Sequence, residues 1–388
     1  MENNTHHSKE LGLHSTCTHI GEVKDEQFKG AVSPLYMSSS YEYENVDVKR
    51  YPRYFNTPNQ EFLAKKLAAL EKTESALVFG SGMAAISTTL MALLKAGDHA
   101  VFQQSLYGGT YNFANTQLNR YGMQYSFTTG TTLAEFQAVV RPETKLIYLE
   151  TPSNPLLAIT PLKEIADWAK SKGITTVIDN TFASPVNQNP IELGVDIVMH
   201  SATKYLGGHS DLCAGAVMAS EDWIKQIWQS AICFGGSLSD YSVWMLERSI
   251  KTLGVRVHRQ NQVAGQMAEW LSKQSEVKRV YYPGLEDHPG HALAKSQMKG
   301  FGGMISFDLQ DGIQAEKVLE SVRLIKPSMS LAGVESTALL PAKTSHSLME
   351  KEERLRQGIS DQLIRFSVGI EEAEDLQKDW KQAFEAGH

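Results

Sequence analysis

One lysine in this sequence stands where an ammonium would gain little from water. In DIVMHSATKYLGGHSD (Asp196–Asp211), an apolar run, Ile197-Val198-Met199, leads to Ser201, Thr203 and Lys204, then to a Gly207-Gly208 turn. A lysine at the end of a buried strand is a candidate nucleophile or base, because burial favours its neutral form. An acid, Asp179, ends a second apolar run, TTVIDN. A third run, ALVFGSGM, ends in Gly80-Ser81-Gly82 and opens a helix. Glycines there let backbone amides approach an anion at the helix N-terminus. Ser201 and Thr203, two apart on an extended segment, present their hydroxyls to the same side.

A lysine, an acid and a phosphate cradle together suit pyridoxal 5'-phosphate. Its aldehyde condenses with a lysine amine, and its pyridine nitrogen needs a carboxylate to stay protonated as an electron sink. A carboxylate about 4 Å from that nitrogen contributes roughly 4 kcal/mol at an effective dielectric of about 20. That is roughly three pKa units in favour of the protonated ring. Taken singly, Lys204 reads as a surface lysine and Asp179 as a helix cap. A dinucleotide site competes for the third element, since Gly80 to Ala85 fits G-x-G-x-x-A between strand and helix. The ribose-binding acid should then end the next strand, about twenty residues on. Asp98 precedes that strand instead, and Gln103-Gln104 end it. His6, His7, His14, Cys17 and His19 match no structural zinc spacing, so no metal is expected.

These groups need elements to hold them. The apolar runs Ala76–Phe79, Ala100–Gln103, Leu146–Leu149, Thr175–Ile178 and Asp196–Met199 read as strands buried on both faces. NQEFLAKKLAALEKT and SGMAAISTTLMALLKAG read as helices between them, the second ending at a Gly97 cap. The alternation predicts an α/β fold with a mostly parallel, helix-covered sheet. Ligands bind at the carboxyl ends of such strands, where Asp179, Lys204 and the glycine turn fall. Residues 1–60 lack periodicity and are rich in Ser, Tyr, Asn and Pro, as expected of an arm buried by something outside itself. After Ser239, one long helical stretch and the strand-like MISFDL and LIRFSVG predict a smaller α/β unit. The expected division is an arm over 1–60, a cofactor-binding domain over 61–240 and a C-terminal domain over 241–388.

The 388 residues carry a net charge of −7 with no long basic run, so neither nucleic acid nor an anionic membrane is an expected partner. Three scattered cysteines form no disulfide framework. No apolar stretch suits a signal peptide or a membrane span, and a cytoplasmic location is expected.

Beyond the residue types, the wording of the chain from about Thr18 to the C-terminus resembles the pyridoxal-phosphate transsulfuration enzymes. The resemblance rests on FGSGMAA, SLYGGTY, ETPSNP, VIDNTFASP, HSATKYLGGHSD, SLAGVES with PAKTSH, and GISDQLIRFSVGIEEAEDL, in that order. It implies the aspartate-aminotransferase-like fold (fold-type I) and a homotetramer of tight dimers. By motif, Lys204 resembles the cofactor-attaching lysine and Asp179 the pyridinium partner. Gly82, Met83, Ser201 and Thr203 fall on phosphate-binding positions. Tyr107 resembles the tyrosine that stacks on the cofactor ring and passes a proton to the leaving group. Asn154, Ser330 and Arg365 resemble the group that orients the cofactor oxygen and grips the substrate α-carboxylate. Tyr51 and Arg53 match a Y-x-R motif that reaches the phosphate of the neighbouring subunit, so the active sites are expected to be shared. Asn56-Thr57-Pro58 departs from the Asn-Pro-Thr order usual there.

Two further departures bear on the reaction. Gly109 replaces the cysteine usual in methionine γ-lyases. Met329, just before Ser330, replaces the glutamate usual in the γ-synthases and γ-lyases for cystathionine. The expected activity is therefore cleavage of L-cystathionine by β-elimination to homocysteine, pyruvate and ammonia. The alternative is γ-chemistry by cystathionine γ-synthase, cystathionine γ-lyase or O-acetylhomoserine sulfhydrylase. A binding-only protein on this fold would have no need of Lys204, Asp179, Tyr107 and Arg365 together.

Overall fold

Two sheets organise the chain in this computed structural model, which describes residues 11–347 and 349–388. The larger sheet contains β1 (Ser75–Phe79), β2 (His99–Phe102), β3 (Gln124–Phe127), β4 (Thr144–Glu150), β5 (Thr175–Asp179), β6 (Ile197–His200) and β7 (Gly215–Ala219). Their order is β1-β7-β6-β5-β4-β2-β3. Every neighbouring pair is parallel except those made by β7, which runs antiparallel to β1 and β6. Successive residues face opposite sides of a strand. Val217 and Ala219 pack with Leu77, Phe79 and Val177 on one face, while Ala216 and Met218 pack with Ala76, Val78 and Ile178 on the other. Helices cover both faces, so the strands are apolar throughout rather than alternating.

β3 and β7 were not among the strands read from the sequence. β3 (QYSF) is a half-exposed edge strand without an apolar run. β7 (GAVMA) is small and glycine-led because the chain passes close to the glycine turn: a Cβ on Gly215 would lie 2.1 Å from the Ser81 carbonyl oxygen. Placed between β1 and β6, β7 brings the carboxyl ends of those two strands to the same edge. Gly82 thereby comes within contact of Ser201.

The structure corrects two helix boundaries. The helix after the glycine turn ends at Leu93, and Gly97 (φ +91°) lies in the turn that follows rather than at the cap. The long stretch after Ser239 is two helices, Asp240–Ile250 and Leu253–Leu271, broken at Lys251-Thr252. The Asn56-Thr57-Pro58 departure falls at a helix start. Thr57 caps Pro58–Glu71 through a reciprocal capping box with Gln60, and Pro58 sits at the first helical position.

The smaller sheet has β8 (Val277–Tyr281), β9 (Met304–Leu309), β10 (Lys326–Pro327), β11 (Thr337–Leu339) and β12 (Leu363–Ser367), in the order β10-β11-β12-β9-β8. All pairs are antiparallel except β10 with β11. Trp380, from the helix Ala373–Ala386, meets Phe307 and Phe366 edge-on, with ring centres 5.2 and 5.3 Å apart. It is fully buried. Before Pro58 the described chain has one α-helix, Leu13–His19, a short 3-10 helix at Pro52–Tyr54 and no strand, and it exposes Phe28, Met37 and Tyr43. Among the described residues, no helix is long and apolar enough to cross a membrane.

Truncating Trp380 removes the residue on which the small sheet is packed. Trp380→Ala should cost about 3–5 kcal/mol, read as a fall in the urea midpoint followed by tryptophan-independent circular dichroism.

Candidate active site

A cavity of about 560 Å³ opens where β1, β4, β5 and β6 end, walled on the other side by loops of the smaller sheet. It brings together Lys204, Asp179, Tyr107, Gly82, Met83, Ser201, Thr203, Asn154, Met329, Ser330 and Arg365.

Lys204 reaches this cavity because the chain after β6 folds into a tight turn. The Lys204 amide donates to the Ser201 carbonyl at 3.1 Å and the Gly208 amide to the Lys204 carbonyl at 2.7 Å. A buried guanidinium braces the turn: Arg256 Nη1 donates to the Tyr205 carbonyl (2.8 Å), and Nη2 to those of Leu206 (3.4 Å) and Ser249 (3.1 Å). Gly208 has φ +69°, and a Cβ there would sit 1.8 Å from Arg256 Nη1, so the turn admits only glycine. At the far end, Lys204 Nζ donates to Ser330 Oγ at 2.6 Å. Burial, with the Arg365 cation nearby, lowers the Lys204 pKa from 10.5 to about 8.

Asp179 ends β5 and accepts the Thr181 amide at Oδ1 (3.0 Å). Burial raises its pKa, while Thr181, His200 and Lys204 oppose the rise. At the glycine turn, Ser81 caps the helix Gly82–Leu93 and its hydroxyl accepts the Ala84 amide at 3.0 Å. The amides of Gly82 and Met83, at the first helical positions, have no intrahelical acceptor. Gly80 contributes no amide, because its N–H donates to the Gly236 carbonyl at 2.8 Å. A Cβ on Gly82 would lie 2.9 Å from Ser201 Cβ and 3.0 Å from its Oγ, so glycine lets the helix end meet the Ser201 segment. These groups fit pyridoxal phosphate: an amine for the aldehyde, a buried carboxylate for the ring nitrogen and free amides with hydroxyls for the phosphate.

The smaller sheet supplies the opposite wall. Arg365, buried on β12, donates from Nη1 to Asn154 Oδ1 (3.2 Å) and from Nη2 to the Ser330 carbonyl (2.9 Å). Ser330 holds φ +77° to turn both its hydroxyl and its carbonyl inward. Tyr107 precedes the helix Gly108–Gln117 and is 42% exposed as a residue, and partial burial plus the Asp179 and Glu150 carboxylates raise its pKa. Met329 is exposed at the cavity wall.

Sequence reasoning gave no role to Glu150 or His346, although both lie inside quoted motifs, ETPSNP and PAKTSH. His346 lines the cavity, and burial with the Arg365 cation lowers its pKa to about 4, so it is neutral near pH 7. Arg256 stood outside every motif, and only its contacts reveal it. Tyr51 and Arg53 are not brought to this cavity. Arg53 Nη1 donates to the Ile232 carbonyl, and its guanidinium carbon lies 5.7 Å from the Tyr51 ring centre and 5.2 Å from that of Tyr54. Of the histidine tract, His14 packs 5.2 Å from His258; His6 and His7 lie outside the described residues.

Structural likeness defines the class first. The fold is the α/β fold of fold-type I pyridoxal-phosphate enzymes, shared with cystathionine γ-lyase from Lactobacillus plantarum solved with L-serine. That structure superposes with a TM-score of 0.94 at 36% identity, over 97% of this chain and 99% of its own. Sequence then narrows the class. The chain belongs to the Cys/Met metabolism PLP-dependent enzyme family, whose family model matches residues 14–385. It is 44% identical to the cystathionine beta-lyase of Bacillus subtilis, over 91% of this chain and 92% of that one. It is 43% identical to the cystathionine gamma-lyase of the same organism, over 94% and 97%.

An amine with pKa about 8 is half neutral at pH 8, where an exposed lysine is almost wholly protonated. The folded value lies below the unfolded one, so folding against a charged Lys204 is penalised fully below about pH 8, and the penalty vanishes as pH rises toward 10.5. In cofactor-free protein, trace acetylation at pH 8 followed by peptide mapping should label Lys204 ahead of exposed lysines, with a labelling midpoint near pH 8.

Proposed function

We propose that this protein cleaves L-cystathionine by β-elimination, giving homocysteine, pyruvate and ammonia, with Lys204 holding the cofactor and acting as base. The observation that carries the β-assignment is Met329. It lines the cavity next to Ser330 and offers neither a charge for a distal ammonium nor a base for Cβ. γ-Chemistry must remove a second proton, from Cβ, and gains more from a polar group there. γ-Elimination is the second reading, favoured by near-equal identity to the Bacillus subtilis γ-lyase.

Bound, the cofactor supplies an electron sink for the charge left when the substrate loses its α-proton. Lys204 Nζ, poised near neutrality, takes that proton. Asp179 would meet the ring nitrogen, and Gly82, Met83, Ser201 and Thr203 would hold the phosphate. Asn154, Ser330 and Arg365 orient the substrate α-carboxylate, which a planar guanidinium accepts through two parallel hydrogen bonds. Tyr107, at the cavity wall, would cover the ring and, with Lys204, deliver a proton to the departing thiolate. A Cβ on Gly109 would stand 2.4 Å from Tyr107 Cε1 and 2.9 Å from Met83 Sδ, so the cysteine of methionine γ-lyases would displace this ring.

The arm over 1–60 completes the site in trans. Tyr51 and Arg53 stand away from their own chain's cavity on a segment rich in exposed apolar residues, which suits a site shared between subunits. This reading makes the protein a homotetramer of tight dimers with shared sites, built from the arm, the cofactor-binding domain (61–240) and the C-terminal domain (241–388), and working in the cytoplasm.

Chromatography of the products tests the reaction. L-Cystathionine should yield mainly pyruvate and homocysteine, and Met329→Glu should move the ratio toward 2-oxobutyrate about tenfold if it supplies ~1.4 kcal/mol of selective stabilisation. Predominant 2-oxobutyrate from the unaltered enzyme replaces this reading with γ-elimination.

Shared sites make a separate prediction. Arg53→Ala and Lys204→Ala should each be nearly inactive, and mixed dimers of the two should regain up to one intact site per dimer. No recovery in confirmed mixed dimers rules out an arm acting in trans.

A further inference from the structure

Glu150 ends β4 directly beside Asp179 on β5 and is almost fully buried at the cavity wall. Its two oxygens serve two different loops. Oε2 accepts the Tyr107 amide at 2.7 Å, and Oε1 accepts the Asn154 amide at 3.2 Å. The Glu150 backbone is itself fixed by one side chain: Gln103 Nε2 donates to the Glu150 carbonyl (2.7 Å), and Gln103 Oε1 accepts its amide (3.4 Å). Thr160 Oγ1 donates to the same Gln103 oxygen at 2.9 Å and sets the amide's orientation. A chain of contacts therefore runs from Gln103, just after β2, through Glu150 to Asn154, Arg365 and Ser330, ending at Lys204 Nζ.

We propose that Glu150 is a positioning residue for the reaction, its carboxylate clamping the Tyr107 loop and the Asn154 loop at one mutual distance. Through Asn154 it sets the angle at which Arg365 would meet an amino-acid carboxylate; through the Tyr107 amide it sets the place of the tyrosine that would cover the cofactor. The proposal rests on the roles given above to Tyr107, Asn154 and Arg365. A carboxylate is needed because both of its oxygens accept. A glutamine has the same shape but turns an NH2 toward one of the two amides, so one loop is released. Burying an acid against Asp179 is unfavourable for either charge, and the backbone amides of the two loops are what offset it.

The test uses holoenzyme and an amino acid without a leaving group, L-alanine, whose binding is followed by the cofactor's visible absorption. Glu150→Gln should weaken L-alanine binding about tenfold, the scale of one lost buried hydrogen bond, and lower kcat with cystathionine separately through Tyr107. Acting through Asn154, it should lose most of its effect on binding in an Asn154→Ala background. Unchanged binding overturns the proposal, and so does an equal effect in both backgrounds, which assigns Glu150 a structural role only. Should Glu150→Gln not fold, Glu150→Asp, which reaches one loop at a time, decides by the same titration: weakened binding supports the clamp and unchanged binding overturns it. Arg365→Lys separates the two levels. If it binds L-alanine as the unaltered enzyme does, the site reading itself fails; if it binds poorly while Glu150→Gln does not, only the Glu150 proposal falls.

Discussion

Lys204 must be buried enough to give up its proton near neutral pH, yet held firmly enough for its nitrogen to occupy one place. Burial alone favours the neutral amine, but a long lysine stem has many rotamers to lose. The structure restrains it at both ends. Arg256 and Gly208 lock the turn that carries the backbone, and Ser330 Oγ receives the ammonium end. Much of the surrounding architecture follows from these two anchors. One belongs to the helix Leu253–Leu271 and the other to a loop of the smaller sheet, so neither sheet could hold this lysine alone.

The same cavity wall buries Arg365, Asp179 and Glu150. Opposite charges buried side by side offset part of the desolvation that each would otherwise bear alone, and burial remains the largest influence on each of them. The four are not interchangeable. Arg365 depresses Lys204, whereas Asp179 raises Glu150, and both carboxyls raise Tyr107. Hydrogen bonds from backbone amides to the carboxylates, and from Arg365 to a carbonyl, tie these charges to rigid elements. A site of this kind loses its pKa pattern when its loops move.

Buried polar contacts fix the elements around the cavity to one another. Ser306 Oγ of β9 donates to the Pro155 carbonyl at 2.6 Å, the Gly303 amide donates to the Tyr205 hydroxyl at 3.1 Å, and Gln260 Nε2 donates to the Gly333 carbonyl at 2.8 Å. Each lies within a few residues of a group placed in the site: Asn154, Lys204 and Ser330 respectively. Hydrogen bonds of this kind specify distance and angle more sharply than apolar contact does, because an unmade buried bond is costly.

Strand identity was legible in the sequence wherever a strand is buried on both faces, since a continuous apolar run is what such a position demands; β1, β2, β4, β5 and β6 all show it. Four groups that line the cavity were legible for a related reason: Asp179, Gly82, Ser201 and Lys204 sit at or just after strand ends, where local chain order and chemistry coincide. The edge strand β3 and the small-residue strand β7 were not, because their residues answer to exposure and to a close approach by Ser81. Glu150, His346 and Arg256 acquire their roles from partners 43, 19 and 51 residues away, namely Tyr107, Arg365 and Tyr205. Gly80 shows the converse, a glycine suited by its sequence to an anion turn whose amide is taken by Gly236. Sequence by itself determined which chemical groups the chain owns and which strands carry them. Tertiary structure alone decided which of those groups meet, because hydrogen bonding and desolvation act over a few ångströms of space and take no account of separation along the chain.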